Sequence, residues 1–193
     1  MIKETKSNAH WIFFTAIEND TETLLRFIEP TEPNFSTYSL EICRVLFAAC
    51  SECEIVLKEI ARSYGREPER MDIEALRKCI MEKLPDLASE KVFVPRYGLE
   101  LDPWDNWRAG KSPNWWTGYN KVKHQRLDHY HEGSLINALN SVAALMVATI
   151  YYYRLQVGSP DAPAPFQKVL RYHLSPASVL FALHDHRWNP PAS

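Results

Sequence analysis

The feature that most limits how this chain can fold is a run of nineteen largely apolar residues, Leu135 to Tyr153. Asn137, Asn140 and Ser141 interrupt it near one end, so a helix built from it would be apolar on nearly every face. Such a helix belongs at the centre of a bundle or in a bilayer. The run is barely long enough to span a membrane, and no block of lysine or arginine flanks it beyond Arg154. The sequence therefore predicts a buried helix over about 134–154 and no membrane span.

A second long helix is predicted over 37–64. Ser36 or Thr37 is placed to cap its start, and Gly65 is placed to stop it. Apolar residues recur there at intervals of three and four, which is typical of a helix with one buried face. These apolar positions are Ile42, Leu46, Ala49, Cys53, Val56, Ile60 and Tyr64.

Shorter helical segments complete an expected bundle of about four or five helices with little or no sheet. Residues 9–29 form a first helix or two short ones, Asp72 caps a helix that runs to about 84, and a further helix is expected over 114–131. Small residues on the apolar helix form a face that another helix could approach closely, within the bundle or across a dimer. That face consists of Asn137, Ser141, Ala144 and Ala148.

A proline-punctuated connection lies between these helices, from 91 to 116. It begins with Val92–Val94, which has the composition of a brief strand. Four tryptophans in such a loop predict that it packs down on the bundle. They are Trp104, Trp107, Trp115 and Trp116.

Composition fits one globular domain of ordinary size, with 46% hydrophobic and 24% charged residues in a chain of 193. The net charge of −2 excludes attraction of the whole protein to nucleic acid, so any such attraction needs a local patch. No signal-peptide pattern is present at the N-terminus, and the cysteines lie among helix-forming residues, which predicts reduced thiols in a cytoplasmic protein. The CxxC pair Cys50 and Cys53 stands in an apolar stripe and is expected to be core packing.

The expected domain is 1–157, and residues 158–193 read as a proline-rich tail packed on its surface. Short helical turns are predicted in the tail near 166–173 and 177–184. His184 and His186 could touch a metal ion, but no further ligands accompany them at a suitable spacing.

The densest group of polar, chemically active residues lies between Asn120 and His131. Three cations and three histidines fall within eleven positions, which suits a phosphate or another anionic partner. They are Lys121, Lys123, His124, Arg126, His129 and His131. On one continuous helix, Asn120, His124, Leu127 and His131 would form a single stripe, since they recur at intervals of three and four.

An imidazole, a carboxamide and a neighbouring cation can together cleave a phosphodiester. Here His124 would act as general acid or base, Asn120 would orient the phosphate or the histidine, and Lys123 with Arg126 would stabilise charge. The other interpretation is a solvated helix face whose histidines make ordinary hydrogen bonds. No carboxylate stands at metal-ligand spacing within the group and no glycine-rich phosphate loop is present, so neither a metal nor a cofactor is predicted.

Several segments in order resemble the HEPN superfamily: Glu52–Lys58 in the long helix, the tryptophan-rich loop, Tyr119–Arg126 and the apolar helix after it. The resemblance covers roughly 37–154. HEPN proteins are small all-helical domains, many of them metal-independent ribonucleases of toxin–antitoxin, abortive-infection and other defence systems. Their active members carry an arginine, four to six residues and a histidine, often with a polar residue directly after the arginine.

Two alignments to that motif are open. Arg126 and His131 have the required spacing, but apolar Leu127 follows the arginine. The preferred alignment uses Asn120 and His124 at the start of the predicted helix, with Tyr119 where the arginine is expected. The resemblance implies either a metal-independent endoribonuclease or a non-catalytic relative that binds RNA, a nucleotide or a protein. It also implies a homodimer with a shared cleft and an antitoxin or defence-complex partner. A helical scaffold subunit is the remaining alternative.

Overall fold

The computed structural model describes residues 8–159, 161 and 174–183, and these form a mainly helical bundle. Two long helices make its centre, α2 (Leu40–Ser63) and α7 (Leu135–Val157), after the first helix, α1 (Ala9–Leu24). The remaining helices are α3 (Ile73–Lys83), α4 (Asp105–Arg108), α5 (Asn114–His124) and α6 (Arg126–His129). The predicted mainly helical character is confirmed.

The helices α2 and α7 form the most extensively packed pair of elements in the described chain. Ser141, Ala144 and Ala148 of α7 are completely buried, and the Ser141 hydroxyl lies beside the Cys50 thiol of α2. The small residues therefore allow close approach inside the bundle rather than across a dimer. Among the described residues α7 alone is long and apolar enough to cross a bilayer, and 78% of its most apolar window is buried in the bundle.

The caps explain where the two amphipathic helices begin. Ser39, not Ser36 or Thr37, caps α2, because its hydroxyl accepts a hydrogen bond of 3.2 Å from the Ile42 amide. Asp72 caps α3 as predicted, accepting from the Ala75 amide at 2.8 Å. Gly65 follows the end of α2 with a φ of 72°, a left-handed conformation that glycine adopts without strain.

The connection between α3 and α5 packs onto the bundle, as its tryptophans predicted. All four of those tryptophans are buried, and the indole of Trp115 donates to the Pro103 carbonyl at 2.7 Å. The predicted brief strand is β1 (Val92–Val94), which pairs antiparallel with β2 (Leu99–Leu101) and with β3 (Ala182–Leu183). The described sheet is thus small, with three strands of two or three residues each.

The described part of the C-terminal tail is built into the fold. Glu18 of α1 is buried, and its carboxylate accepts hydrogen bonds from the amides of Leu180 and Phe181. The Trp11 indole donates to the Pro176 carbonyl at 2.8 Å. The predicted helical turn at 177–184 is wrong over 177–183, because residues 177–181 are irregular and Ala182–Leu183 pair with β1 as a strand. The turn predicted near 166–173, His184 and His186 lie outside the described residues.

Candidate functional site

The basic group lies on a broken segment rather than on one helix. The helix α5 ends at His124, Gln125 adopts φ −141° and ψ 50°, and α6 then makes a single turn. A 3-10 turn, Tyr130–Glu132, follows before α7 begins. The predicted continuous helix over 114–131 is therefore wrong, although its start at residue 114 is right.

An ion pair joins the two sides of the break. The Lys121 ammonium lies 2.5 Å from the Glu132 carboxylate, eleven residues further on. On a straight helix eleven residues span about 16.5 Å along the axis, too far for this contact. The Glu132 carbonyl also accepts a hydrogen bond of 2.8 Å from the Asn137 amide. These contacts hold the segment folded back between α5 and α7.

Two glycines let the folded segment pack closely. A Cβ on Gly118 would lie 2.7 Å from the Asn137 amide nitrogen and 2.9 Å from the Glu132 carbonyl oxygen. A Cβ on Gly133 would overlap the Cys43 sulfur of α2. Neither glycine has a positive φ, so close approach and not backbone conformation requires the missing side chain.

The predicted stripe of Asn120, His124, Leu127 and His131 is divided by the break. Asn120 and His124 share α5, whereas Leu127 lies on α6 and His131 in the turn after it. Asn120 is half-buried and its side-chain amide donates to the Trp116 carbonyl at 3.1 Å. His124 is exposed at the end of its helix. The structure therefore does not present these four side chains on one helical face.

The two cations expected to stabilise charge each lie over an aromatic ring. The Lys123 ammonium is 5.2 Å from the centre of the Tyr119 ring, and the Arg126 guanidinium is 5.7 Å from that of Phe47. Both cationic side chains belong to exposed residues. The aromatic contacts fix where these charges sit while leaving them accessible to an anionic ligand.

Tyr119, which stands at the expected arginine position of the preferred alignment, is a core residue. It is 5% exposed, and its ring centre lies 5.1 Å from that of Phe47 and 5.3 Å from that of Trp116. A buried phenol among aromatic rings packs the junction of α2 and α5. It supplies no charge at the position where the motif has an arginine.

Sequence reasoning missed a second group, which consists of His129, His131 and Glu132. Each of these three residues, all within the described part of the chain, offers one atom that could bind a metal ion. The three atoms lie within 4.8 Å of one another. His131 Nε2 is 4.0 Å from the carboxylate of Glu132, and the two imidazole centres are 6.2 Å apart. The prediction that no carboxylate stands at metal-ligand spacing covered the group that ends at His131, and Glu132 lies one position beyond it. The signal was present, because Glu132 directly follows His131.

A groove of about 780 Å³ adjoins the basic segment. It lies between α1, α2 and α6, and burial on its floor raises the pKa of the Cys43 thiol, an effect that nearby Arg126 opposes. Leu127 is fully exposed at its edge. Its apolar lining includes Leu24, Phe27, Leu40, Val45, Phe47 and Leu127.

Comparisons of the chain with protein-family models, curated proteins and solved structures found no significant match. What the chain does is therefore inferred from the residues around the helix break.

Proposed function

We propose that the protein is a HEPN-like endoribonuclease that binds single-stranded RNA at the helix break and cleaves it without a metal ion. The supporting observation is the arrangement around Glu132, whose carboxylate pairs with Lys121 and neighbours two imidazoles. A carboxylate next to a histidine can orient the imidazole ring for proton transfer. Lys121 adds a fixed positive charge beside the same imidazoles.

RNA binding is assigned to the exposed charges on both sides of the break. Lys123 and Arg126 supply charge at positions fixed by their ring contacts, and His124 lies between them in sequence. These residues form a local patch in a chain whose net charge is only −2. Neutralising backbone phosphates is the main source of such affinity, so binding will weaken as salt increases.

Cleavage is assigned to His131 and His129, with Lys121 nearby. One neutral imidazole removes the proton of a ribose 2′-hydroxyl, whose oxygen attacks the adjacent phosphorus. The Lys121 ammonium stabilises negative charge on the phosphorane, and the other imidazole, protonated, gives its proton to the departing 5′-oxygen. The products are a 2′,3′-cyclic phosphate and a free 5′-hydroxyl. We therefore assign the acid–base role to His129 and His131, which neighbour a carboxylate, instead of to His124.

A second candidate function is RNA binding without cleavage. The observation that favours it is the burial of Tyr119 at the expected arginine position. In this alternative the same patch would hold RNA, a nucleotide or an acidic protein partner such as an antitoxin or defence-complex subunit.

We also propose a cytoplasmic homodimer in which the groove beside α6 receives a second copy of the chain. The groove exposes apolar side chains of Phe27, Leu40 and Leu127. Its rim carries both signs of charge, Asp20 and Arg44, so that two copies related by a twofold axis could pair opposite charges.

End analysis of the products tests the proposed chemistry. Labelled single-stranded RNA, incubated with the protein in a chelator, should yield 2′,3′-cyclic phosphate ends, and matching DNA should stay intact because it lacks the 2′-hydroxyl. Intact RNA that is nevertheless retained by the protein would replace the ribonuclease proposal with the binding alternative.

A further inference from the structure

We infer that His129, His131 and Glu132 form a binding site for one Zn²⁺ ion. This goes beyond the proposed function, because the ion's binding does not require RNA. The residues come from one short segment after the break, on which α6 and the following turn bring their side chains together. Within the described residues, the cluster combines two imidazoles and a carboxylate with an approach from solvent, since His131 is exposed.

Side-chain rotation alone can bring the three ligand atoms to the separations that a zinc ion requires. Zinc binds histidine nitrogen and carboxylate oxygen at about 2.0–2.2 Å, so tetrahedral ligand atoms lie roughly 3.4 Å apart. The three ligand atoms here lie within 4.8 Å of one another, and His131 Nε2 is already 4.0 Å from the Glu132 oxygen. The His131 side chain is 62% exposed and free to rotate toward an ion. The backbone beneath it is fixed by the packing of Gly133 on Cys43.

The chemistry of the ligands selects the ion. Two imidazoles and one carboxylate suit Zn²⁺, whereas Mg²⁺ and Ca²⁺ prefer sets made of oxygen atoms. Three protein ligands leave a fourth position for water or another ligand. The thiols do not compete within the described fold, because all four cysteines are buried in it.

Lys121 opposes the ion. Its ammonium lies 2.5 Å from Oε1 of Glu132. A bound dication would therefore lie close to this positive charge and would compete with it for the same carboxylate. Removing the ammonium while keeping the aliphatic stem, as in Lys121→Met, should therefore tighten Zn²⁺ binding by about tenfold. Lys123→Met removes a charge from the same helix but not from the Glu132 carboxylate, which makes it the matched control.

The ion would also regulate the site, a consequence that rests on the proposed function. Zinc coordination takes the imidazole lone pairs that acid–base chemistry needs. Zn²⁺ should therefore inhibit RNA cleavage at the concentrations at which it binds, and a chelator should restore the activity.

Titration calorimetry with Zn²⁺ on chelator-treated full-length protein, without RNA, tests the site. His129→Ala, His131→Ala and Glu132→Gln should each weaken binding at least about tenfold, the range expected for loss of a ligand or its partner. His124→Ala should leave the affinity unchanged. Thermal melting of each variant checks that it is folded.

The C-terminal histidines supply the strictest control. If His184→Ala with His186→Ala removes the binding, or if His129→Ala and His131→Ala both bind like the wild type, the site is wrong. Absence of any Zn²⁺ binding by the wild type would also overturn it. Failure of RNA cleavage alongside normal Zn²⁺ binding would refute the proposed function and leave the metal site standing.

Discussion

The ammonium nitrogen of Lys121 lies 2.5 Å from the carboxylate of Glu132, and this contact joins α5 to the turn that precedes α7. The pair is partly exposed, with 42% and 27% of the two side chains accessible, so it contributes little to stability. The pair matters because of where it places its two charges. It sets a carboxylate and a cation beside the imidazoles of His129 and His131.

The packing of Gly133 against Cys43 predicts a specific loss of stability. Gly133→Ala should lower the free energy of unfolding by about 1–3 kcal/mol, because the added methyl group overlaps the Cys43 sulfur. In Cys43→Ala the sulfur is gone, so adding Gly133→Ala to that variant should cost much less. Urea unfolding of the four proteins measures this coupling. Equal costs in both backgrounds would show that the two residues do not contact each other.

The architecture could largely be predicted because it follows from helical periodicity and capping. The spacing of apolar residues located α2 and α7 to within a few residues, and Asp72 identified the start of α3. The break at Gln125 could not be predicted, since neither glycine nor proline stands there. It depends on tertiary contacts that local sequence does not reveal, namely the close packing of Gly118 and Gly133 and the contact of Lys121 with Glu132.

The buried thiols predict how stability depends on pH. Burial raises the pKa of Cys50 and of Cys53 well above the ordinary value, so the folded protein keeps both protons at a pH where the unfolded chain loses them. The unfolded state then binds fewer protons, and stability falls as pH rises above about 8.5. Each thiol should lower the free energy of unfolding by about 1.4 kcal/mol for every pH unit above that value. Chemical unfolding between pH 7 and pH 10 measures the fall.

A double substitution separates the thiols from other groups that titrate at high pH. Burial also raises the pKa of Tyr151, so some loss of stability at high pH should persist in Cys50→Ala with Cys53→Ala. That variant is expected to show a shallower fall between pH 8.5 and pH 10. A fall as steep as in the wild type would show that neither thiol is responsible. Both thiols should also resist thiol reagents in the folded protein.

Leu127 provides a test of the proposed dimer. Its side chain is fully exposed, so Leu127→Asp should leave the stability of a monomer within about 0.5 kcal/mol of the wild type. If two copies meet at the groove, a buried aspartate there should convert the dimer to a monomer in light scattering. Val179→Asp, at a 65% exposed position that does not line the groove, is the matched control. A wild type that is monomeric at micromolar concentration would contradict the dimer.

The cations on either side of the break should control RNA affinity. Lys123→Met and Arg126→Met each remove one charge held over an aromatic ring, so both should weaken binding of single-stranded RNA. Each should also reduce the slope of log affinity against log salt by about 0.7, the value for one phosphate contact. Lys58→Met is the control, since Lys58 pairs with Glu54 on α2. An unchanged slope in both cluster variants would show that these residues do not contact phosphate.

The candidate site was only partly foreseeable from sequence. The cluster of charges and histidines between Lys121 and His131 is visible in the sequence. The prediction that its residues share one helical face is wrong, because α5 ends at His124. Glu132 stands directly before Gly133, a sequence typical of a turn, so local sequence does not mark it as a site residue. Its proximity to Lys121 exists only after the chain has folded back.

The most direct test of the central claim compares His131→Ala with the wild type in parallel assays of RNA cleavage and RNA binding, both in a chelator. His131 neighbours Glu132 and is exposed, so the variant should fold normally and bind RNA within a few-fold of the wild type. Its cleavage rate should fall about 10²–10⁴-fold, the usual contribution of a general acid or base. The control is His10→Ala, which removes a histidine that pairs with Glu52 outside the proposed site. This variant, purified in the same way, should cleave RNA at the wild-type rate. A His131→Ala protein that cleaves RNA at the wild-type rate would contradict the account.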